Sequence, residues 1–223
     1  MALSDKQILE EIQRGNVVIS PFTERNLSSS SYDVTLGEAF YRVESHKRCM
    51  YNPYSEKEVN YLWELHHAKR WADLSCKWAL KDECFDNISD NDLVIMISPG
   101  ETILCHTNEF IGGRNKVTTM MKSRSSMGRS FLETCSCSGW GDVGYVNRWT
   151  MEIRNNSQHF CIPLIVGRRV AQIVFLPTGA TLKSYDESGK YQTLSDFNEL
   201  KSNWKPSDML PKMYLDREIV ENK

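Results

Sequence analysis

No apolar run in this 223-residue chain approaches the roughly 18 residues that a membrane-spanning helix needs. Met1 to Asp5 carries neither the charged nor the apolar region of a secretory leader, so a cytoplasmic protein without a membrane partner is expected. Basic patches are missing too. The 27 basic and 29 acidic residues give a net charge of −2, which argues against nucleic acid as a partner and leaves room only for local positive charge around a small anion. Neither Gly-x-Gly-x-x-Gly nor Gly-x-x-x-x-Gly-Lys-(Ser/Thr) occurs, which removes the Rossmann and P-loop readings. The seven cysteines (49, 76, 84, 105, 135, 137 and 161) are an odd number, so reduced thiols are expected rather than a disulfide framework. Their one close pair, Cys135-Ser136-Cys137, reads as two small residues in a strand or turn, because one-residue spacing is not that of a structural zinc site. The His-x-Glu and Pro-Cys-x-x-Cys signature of the zinc deaminases is also absent.

What is present reads as one domain of mainly β structure. Ser4-Asp5-Lys6-Gln7 forms a capping box, with Leu3 placed to staple onto Ile8, and predicts a helix that carries Ile8, Leu9 and Ile12 and stops near Gly15. Short β-rich runs follow at Val17–Ile19, Tyr32–Tyr41, Leu93–Ile97, Thr102–Cys105, Ile162–Val166 and Arg169–Phe175, punctuated by Gly, Pro and Asn. That texture predicts a sandwich or jelly roll. Residues 44–90 are less regular. They predict a helical insertion on the outside of the core, with one helix through Val59, Leu62, Trp63 and Leu65 and a second through Trp71, Leu74 and Trp78. Its His66-His67 pair reads as part of a surface helix.

The chemistry concentrates between Ser123 and Ile153. Arg124-Ser125-Ser126-Met127-Gly128-Arg129 offers hydroxyls, small residues and two guanidiniums, the groups a phosphate chain requires. Ser138-Gly139-Trp140-Gly141-Asp142-Val143-Gly144-Tyr145 adds a carboxylate and an aromatic ring, and Trp149-Thr150-Met151-Glu152-Ile153 a second carboxylate. Strand alternation sets Trp149, Met151 and Ile153 on one face and Thr150, Glu152 and Arg154 on the other, so alternation by itself allows a solvent-facing Glu152. Likewise, Ser125 and Arg129 suit a turn with a surface ion pair, Asp142 and Tyr145 a hairpin with a core aromatic.

In composition, order and spacing these blocks resemble the dCTP deaminase and trimeric dUTPase superfamily, with archaeal-type bifunctional deaminases the most similar branch. The likeness extends to Ser31-Tyr32-Asp33-Val34-Thr35-Leu36-Gly37 and to Arg169-Val170-Ala171-Gln172-Ile173-Val174-Phe175. It implies a distorted, dUTPase-like jelly roll (β-clip) and a homotrimer, or a hexamer of two trimers, with sites between subunits and Asp33 bracing the interface. The implied substrates are dCTP and dUTP, with Mg²⁺ carried on the triphosphate and no zinc. Glu152 would be the base that activates water at C4, with Ser125 and Arg129 near the base and departing ammonia and Ser138 helping to hold the water. Arg124 and Ser126 would carry phosphates, Tyr145 would pack on the deoxyribose, and Asp142 would direct water to phosphorus. Residues 185–223 would form a lid and tail in which Tyr185, Lys190, Tyr191 and Gln192 close over the nucleotide. Gly141, where Ile is common, Ser123, where Gly is common, and Thr193-Leu194, where a further Gln is usual, depart from the pattern. A monofunctional dUTPase and a non-catalytic nucleotide-binding regulator are the rival readings.

Overall fold

A computed structural model describes residues 1–44, 49–74, 85–187 and 189–221. Helix α1 (Asp5–Gln13) leads to β1 (Val17–Ser20), the short β2 (Leu27–Ser28) and the long β3 (Ser31–Val43). Next come α2 (Glu56–Leu62), β4 (Trp63–His67), β5 (Lys69–Arg70), β6 (Leu93–Ile97), β7 (Thr102–Gly113) and β8 (Val117–Ser123). The turn of helix α3 (Ser125–Arg129) precedes β9 (Leu132–Glu133), β10 (Trp140–Gly141), β11 (Val146–Asn155), β12 (Ile162–Ile165) and β13 (Arg169–Pro177), and the chain continues through α4 (Phe197–Asn203) and α5 (Arg217–Val220).

The amino-terminal helix forms as its capping box dictates. Ser4 Oγ accepts from Gln7 N, the Gln7 side chain accepts from Ser4 N, and Leu3 and Ile8 both enter the core. Gly15, at φ +76°, follows the last turn and lets the chain reverse into β1.

Among the described residues all the strand pairings are antiparallel. One sheet runs β10-β8-β13-β3-β7-β11-β9, with β1, β2 and β4 added at its sides, and a smaller sheet runs β12-β6-β5. β3 curls the large sheet: its first half pairs with β13 and its second half with β7 and β4, with a register shift between Leu36 and Phe40. This is the expected distorted, mainly β architecture with an amino-terminal helix. Its centre is filled by Tyr32, Leu36, Ile103, Ile111, Met151, Ile153, Ile173 and Phe175, none more than marginally exposed.

The insertion departs from the helical expectation. α2 ends at Leu62, and Trp63, Leu65, His66 and His67 belong to β4, which pairs with Ala39–Val43 of β3. The open edge of β3 offers unpaired N–H and C=O groups, and satisfying them outweighs a weak helical period in Trp-Glu-Leu-His-His. Trp71 starts a 3₁₀ turn that ends at Asp73, while Trp78, Cys76 and Cys84 lie outside the described residues. The insertion is also tied to the carboxy-terminal segment: Tyr41, Val59, Leu104, Met209 and Leu210 form a second apolar cluster with Trp63, Trp204 and Tyr214 packed against it.

Buried His106 has a consequence for stability. It is 1% exposed, and desolvation depresses its pKa from 6.5 to about 4. Since the folded-state value lies below the unfolded one, the stability it contributes is present above pH 6.5 and is lost as pH falls towards 4. Between pH 7 and pH 4.5 the protein should therefore lose about 2 kcal/mol more than a His106→Gln variant does. Urea unfolding of both proteins at the two pH values checks this, and equal losses would mean that the folded protein accommodates the imidazolium.

Candidate active site

β11 is the backbone of the site. Its register with β7 sets Glu152 opposite Leu104 and Thr150 opposite His106, and burial alternates along it as the sequence predicts. Trp149, Met151 and Ile153 are in the core, whereas Arg148, Thr150 and Glu152 face a cavity of about 520 Å³. Ser138, Trp140, Asp142 and Tyr145 line this cavity from the preceding hairpin, and Tyr185 and Tyr191 from the segment after β13.

Glu152 carries the clearest electrostatic signature. Its Oε2 is shielded from solvent and accepts no hydrogen bond from any described residue, and burial pushes the carboxyl pKa above its ordinary 4.5. A buried carboxylate oxygen without a donor is costly unless a ligand or water meets it.

The hairpin is shaped by glycines where side chains would collide. A Cβ on Gly141 would lie 2.5 Å from the Trp149 ring. The indole therefore occupies the space that the more usual Ile would need, which accounts for that departure from the family pattern. Gly144, at φ +97°, closes a turn in which Tyr145 N donates to Asp142 O (3.0 Å). Tyr145 then stands edge-on to Trp149 and to Tyr185, with both centroid distances 5.2 Å, and burial raises its phenol pKa. Asp142 is exposed and accepts a hydrogen bond from Trp140 Nε1 (3.1 Å).

The Cys135-Ser136-Cys137 turn just before the hairpin holds three successive non-glycine residues in the left-handed region, at φ 70°, 33° and 66°. Such residues cost on the order of 1–3 kcal/mol each and collect where function fixes the backbone. Here they turn the chain so that Ser138 reaches the cavity.

The remaining expected site residues do not meet this cavity within the chain. Ser125, Ser126 and Arg129 lie exposed on α3. Arg124 turns to a separate cleft with Arg25, Arg168 and Arg169, where it and Arg169 share the buried carboxylate of Asp33 at 3.4 and 3.0 Å. Lys190 pairs with Asp216 of the tail. Gln192 is buried behind the cavity wall: its Oε1 accepts from Val146 N (2.8 Å) and its Nε2 donates to Gly144 O and Leu194 O (3.2 Å each), which pins the end of the hairpin.

Other wall residues carry no motif in the sequence. Trp63 reaches the cavity from the insertion, which is therefore not confined to the outside of the core, and Trp204, Asp208, Met209 and Pro211 reach it from the tail. Arg148 lines it from β11, where the same alternation that placed Glu152 could have found it.

A family model described as dCTP deaminase-like matches residues 2–178. The chain belongs to the dCTP deaminase-like family. It is 30% identical over 183 residues to a dCTP deaminase, dUMP-forming, of Methanococcus aeolicus, covering 80% of this chain and 84% of that protein. A protein of the same description from Methanosphaerula palustris is 25% identical over 206 residues, covering 89% and 97%. The crystal structure of the 2′-deoxycytidine 5′-triphosphate deaminase of Agrobacterium tumefaciens superposes with a TM-score of 0.51 at 14% identity, over 84% of this chain and 53% of that one, a likeness of fold to about half of that protein. The dCTP deaminase-like match ends before Tyr185, so the tail residues on the cavity wall lie beyond it.

Proposed function

We propose that the protein deaminates dCTP by metal-free hydrolysis and carries the product on to dUMP and pyrophosphate. The observation that carries this is the placing of Glu152, with its shielded Oε2, and exposed Asp142 on one aromatic cavity with Tyr145 beside them. Glu152, once ionised, takes a proton from the water that attacks C4, passes a proton to N3 as the tetrahedral carbon forms, and assists the departure of ammonia. Water and dCTP thereby give dUTP and ammonia. Asp142 then directs a second water to the α-phosphorus, the bond to the β-phosphate oxygen breaks, and dUMP and pyrophosphate leave. Tyr145, edge-on to Trp149 and Tyr185, offers a flat apolar surface for the deoxyribose.

Magnesium fits this site as a companion of the triphosphate. Among the described residues the one group of three side chains able to share an ion is Glu44, Glu64 and His66, outside the cavity, so the cavity supplies single carboxylates rather than a cage. An ion held mainly by phosphate oxygens and water, as Mg²⁺ commonly is, would supply positive charge to the triphosphate when bound. Incubation with dCTP, or with dUTP, and Mg²⁺, resolving ammonia, dUTP, dUMP and pyrophosphate, tests the reading. Ammonia without pyrophosphate would reduce it to a simple deaminase, pyrophosphate from dUTP without ammonia from dCTP would leave a dUTPase, and neither product would leave a binding protein.

We also propose that the working site is divided between copies of the chain in a cytoplasmic homotrimer. The exposure of Ser125, Ser126 and Arg129, away from the cavity that holds Glu152, supports this, because a neighbouring copy can then present them. Co-expression of Glu152→Gln with Arg129→Ala in equal amounts should restore about a quarter of the wild-type sites, since cyclic mixed trimers each contain one site with neither substitution. Activity no higher than that of the separate variants would place both residues in one chain's site.

A further inference from the structure

Arg148 is a guanidinium in an unusual position. Its Cζ lies 5.1 Å from the Phe110 ring centroid and 4.7 Å from that of Trp204, so the group is clamped between two aromatic faces. Its Nε is shielded from solvent and has no hydrogen-bond partner, and it forms no ion pair with a described residue. Arg148 Nη1 approaches His106 Nδ1 at 3.4 Å, but that nitrogen already faces Thr107 O at 2.9 Å. A carbonyl can only accept, so Nδ1 carries the proton and cannot accept from Arg148 as well. Burial also disfavours the charged form of the guanidinium, which Glu109 and Glu38 offset only from a distance. A half-buried guanidinium with a shielded Nε and no anionic partner among the described residues is costly, and this one faces the cavity that holds Glu152.

We infer that Arg148 is a phosphate-recognition residue of the nucleotide site and that Trp204 is the residue that positions it. The inference rests on the nucleotide reading proposed above. Arg148, Thr150 and Glu152 alternate along one face of β11, which separates the first from the last by about 13 Å. With the base held at Glu152, Arg148 lies a nucleotide's length away, where the substrate is most negative. A planar fork with free donors suits phosphate oxygens better than a single carbonyl. The tail keeps the fork in place: Phe197 packs edge-on against Phe110, and Trp204 covers the other face of Arg148 while touching His106, with ring centroids 4.8 Å apart. Residues beyond the family match would thus contribute to substrate binding through Arg148.

Calorimetry of the full-length protein with α,β-imido-dUTP plus Mg²⁺ and, separately, with deoxyuridine tests this. Arg148→Gln should weaken imido-dUTP binding about 10- to 100-fold, the loss expected for charge-assisted hydrogen bonds, and leave deoxyuridine binding unchanged. Trp204→Ala should reproduce part of that selective loss, and Trp204→Phe, which keeps an aromatic face, should recover most of it. Unchanged imido-dUTP binding in Arg148→Gln, or equal losses for the two ligands, would overturn the assignment. Should that variant fail to fold, Arg148→Lys decides by the same comparison, because it retains charge and length but not the planar fork. Wild-type protein that binds neither ligand would instead count against the nucleotide reading itself.

Discussion

Glu152→Gln should still bind dCTP, yet release ammonia at least about 10²-fold more slowly than the wild type, because the amide keeps the shape of the carboxylate and cannot take a proton from water. The environment of the carboxylate adds a pH signature. Burial raises the Glu152 pKa above 4.5, and the base works only when ionised, so kcat/KM for deamination should fall on the acid side at a pH above 4.5. Stability should move the other way. A carboxyl whose folded-state pKa is raised contributes stability below the unfolded value and loses it as pH rises through the folded one. At pH 7 the uncharged amide avoids that loss, so Glu152→Gln should melt no lower than the wild type, and its advantage should vanish below about pH 4.5. Ammonia release near the wild-type rate would remove Glu152 from the chemistry. A marked fall in melting temperature would assign it a structural role.

How far the sequence revealed this arrangement depended on the range of the interactions involved. The first helix was fully legible, because Leu3, Ser4 and Gln7 act within about one turn at its start and Gly15 acts just past its end, so each signal is local. So was the face of Glu152, since alternation along β11 is a local property of a strand. The five residues Trp63 to His67 were misread as helix because a stretch that short supports either period, and the deciding partner, the edge of β3, lies well back in the chain. Gly141 reads as a loosened match because the Trp149 ring that occupies the space a side chain would need comes from β11 and not from the motif around Gly141. The tail was the least legible part. Trp204, Asp208 and Met209 belong to no motif, and their place on the cavity wall follows from packing against Tyr41, Val59 and Leu104, contacts that no local pattern announces. The motif spacing likewise gave the order of the residues expected at the phosphates but not their position, because Arg124 to Arg129 leave β8 away from the cavity of their own chain.

Asp142→Asn should separate the two proposed reactions. Asp142 is exposed at the turn of the hairpin while Glu152 lies on β11, so one nucleotide lying along the cavity would present its base to Glu152 and its α-phosphorus to Asp142. If Asp142 directs water to phosphorus, the asparagine variant should lose pyrophosphate release by at least about 10²-fold while still converting some dCTP to dUTP, and Glu152→Gln should show the opposite pattern with dUTP as substrate. Trp140 Nε1 now donates to Asp142 Oδ1, and an asparagine oxygen can accept the same bond, so the hairpin should survive the change. Size-exclusion chromatography with light scattering should first establish that each variant keeps the wild-type assembly, because a carboxylate near a subunit boundary can also act structurally. Parallel loss of ammonia and pyrophosphate in a correctly assembled Asp142→Asn would mean that the two carboxylates serve a single step. Pyrophosphate release at the wild-type rate would move the second water to a different residue.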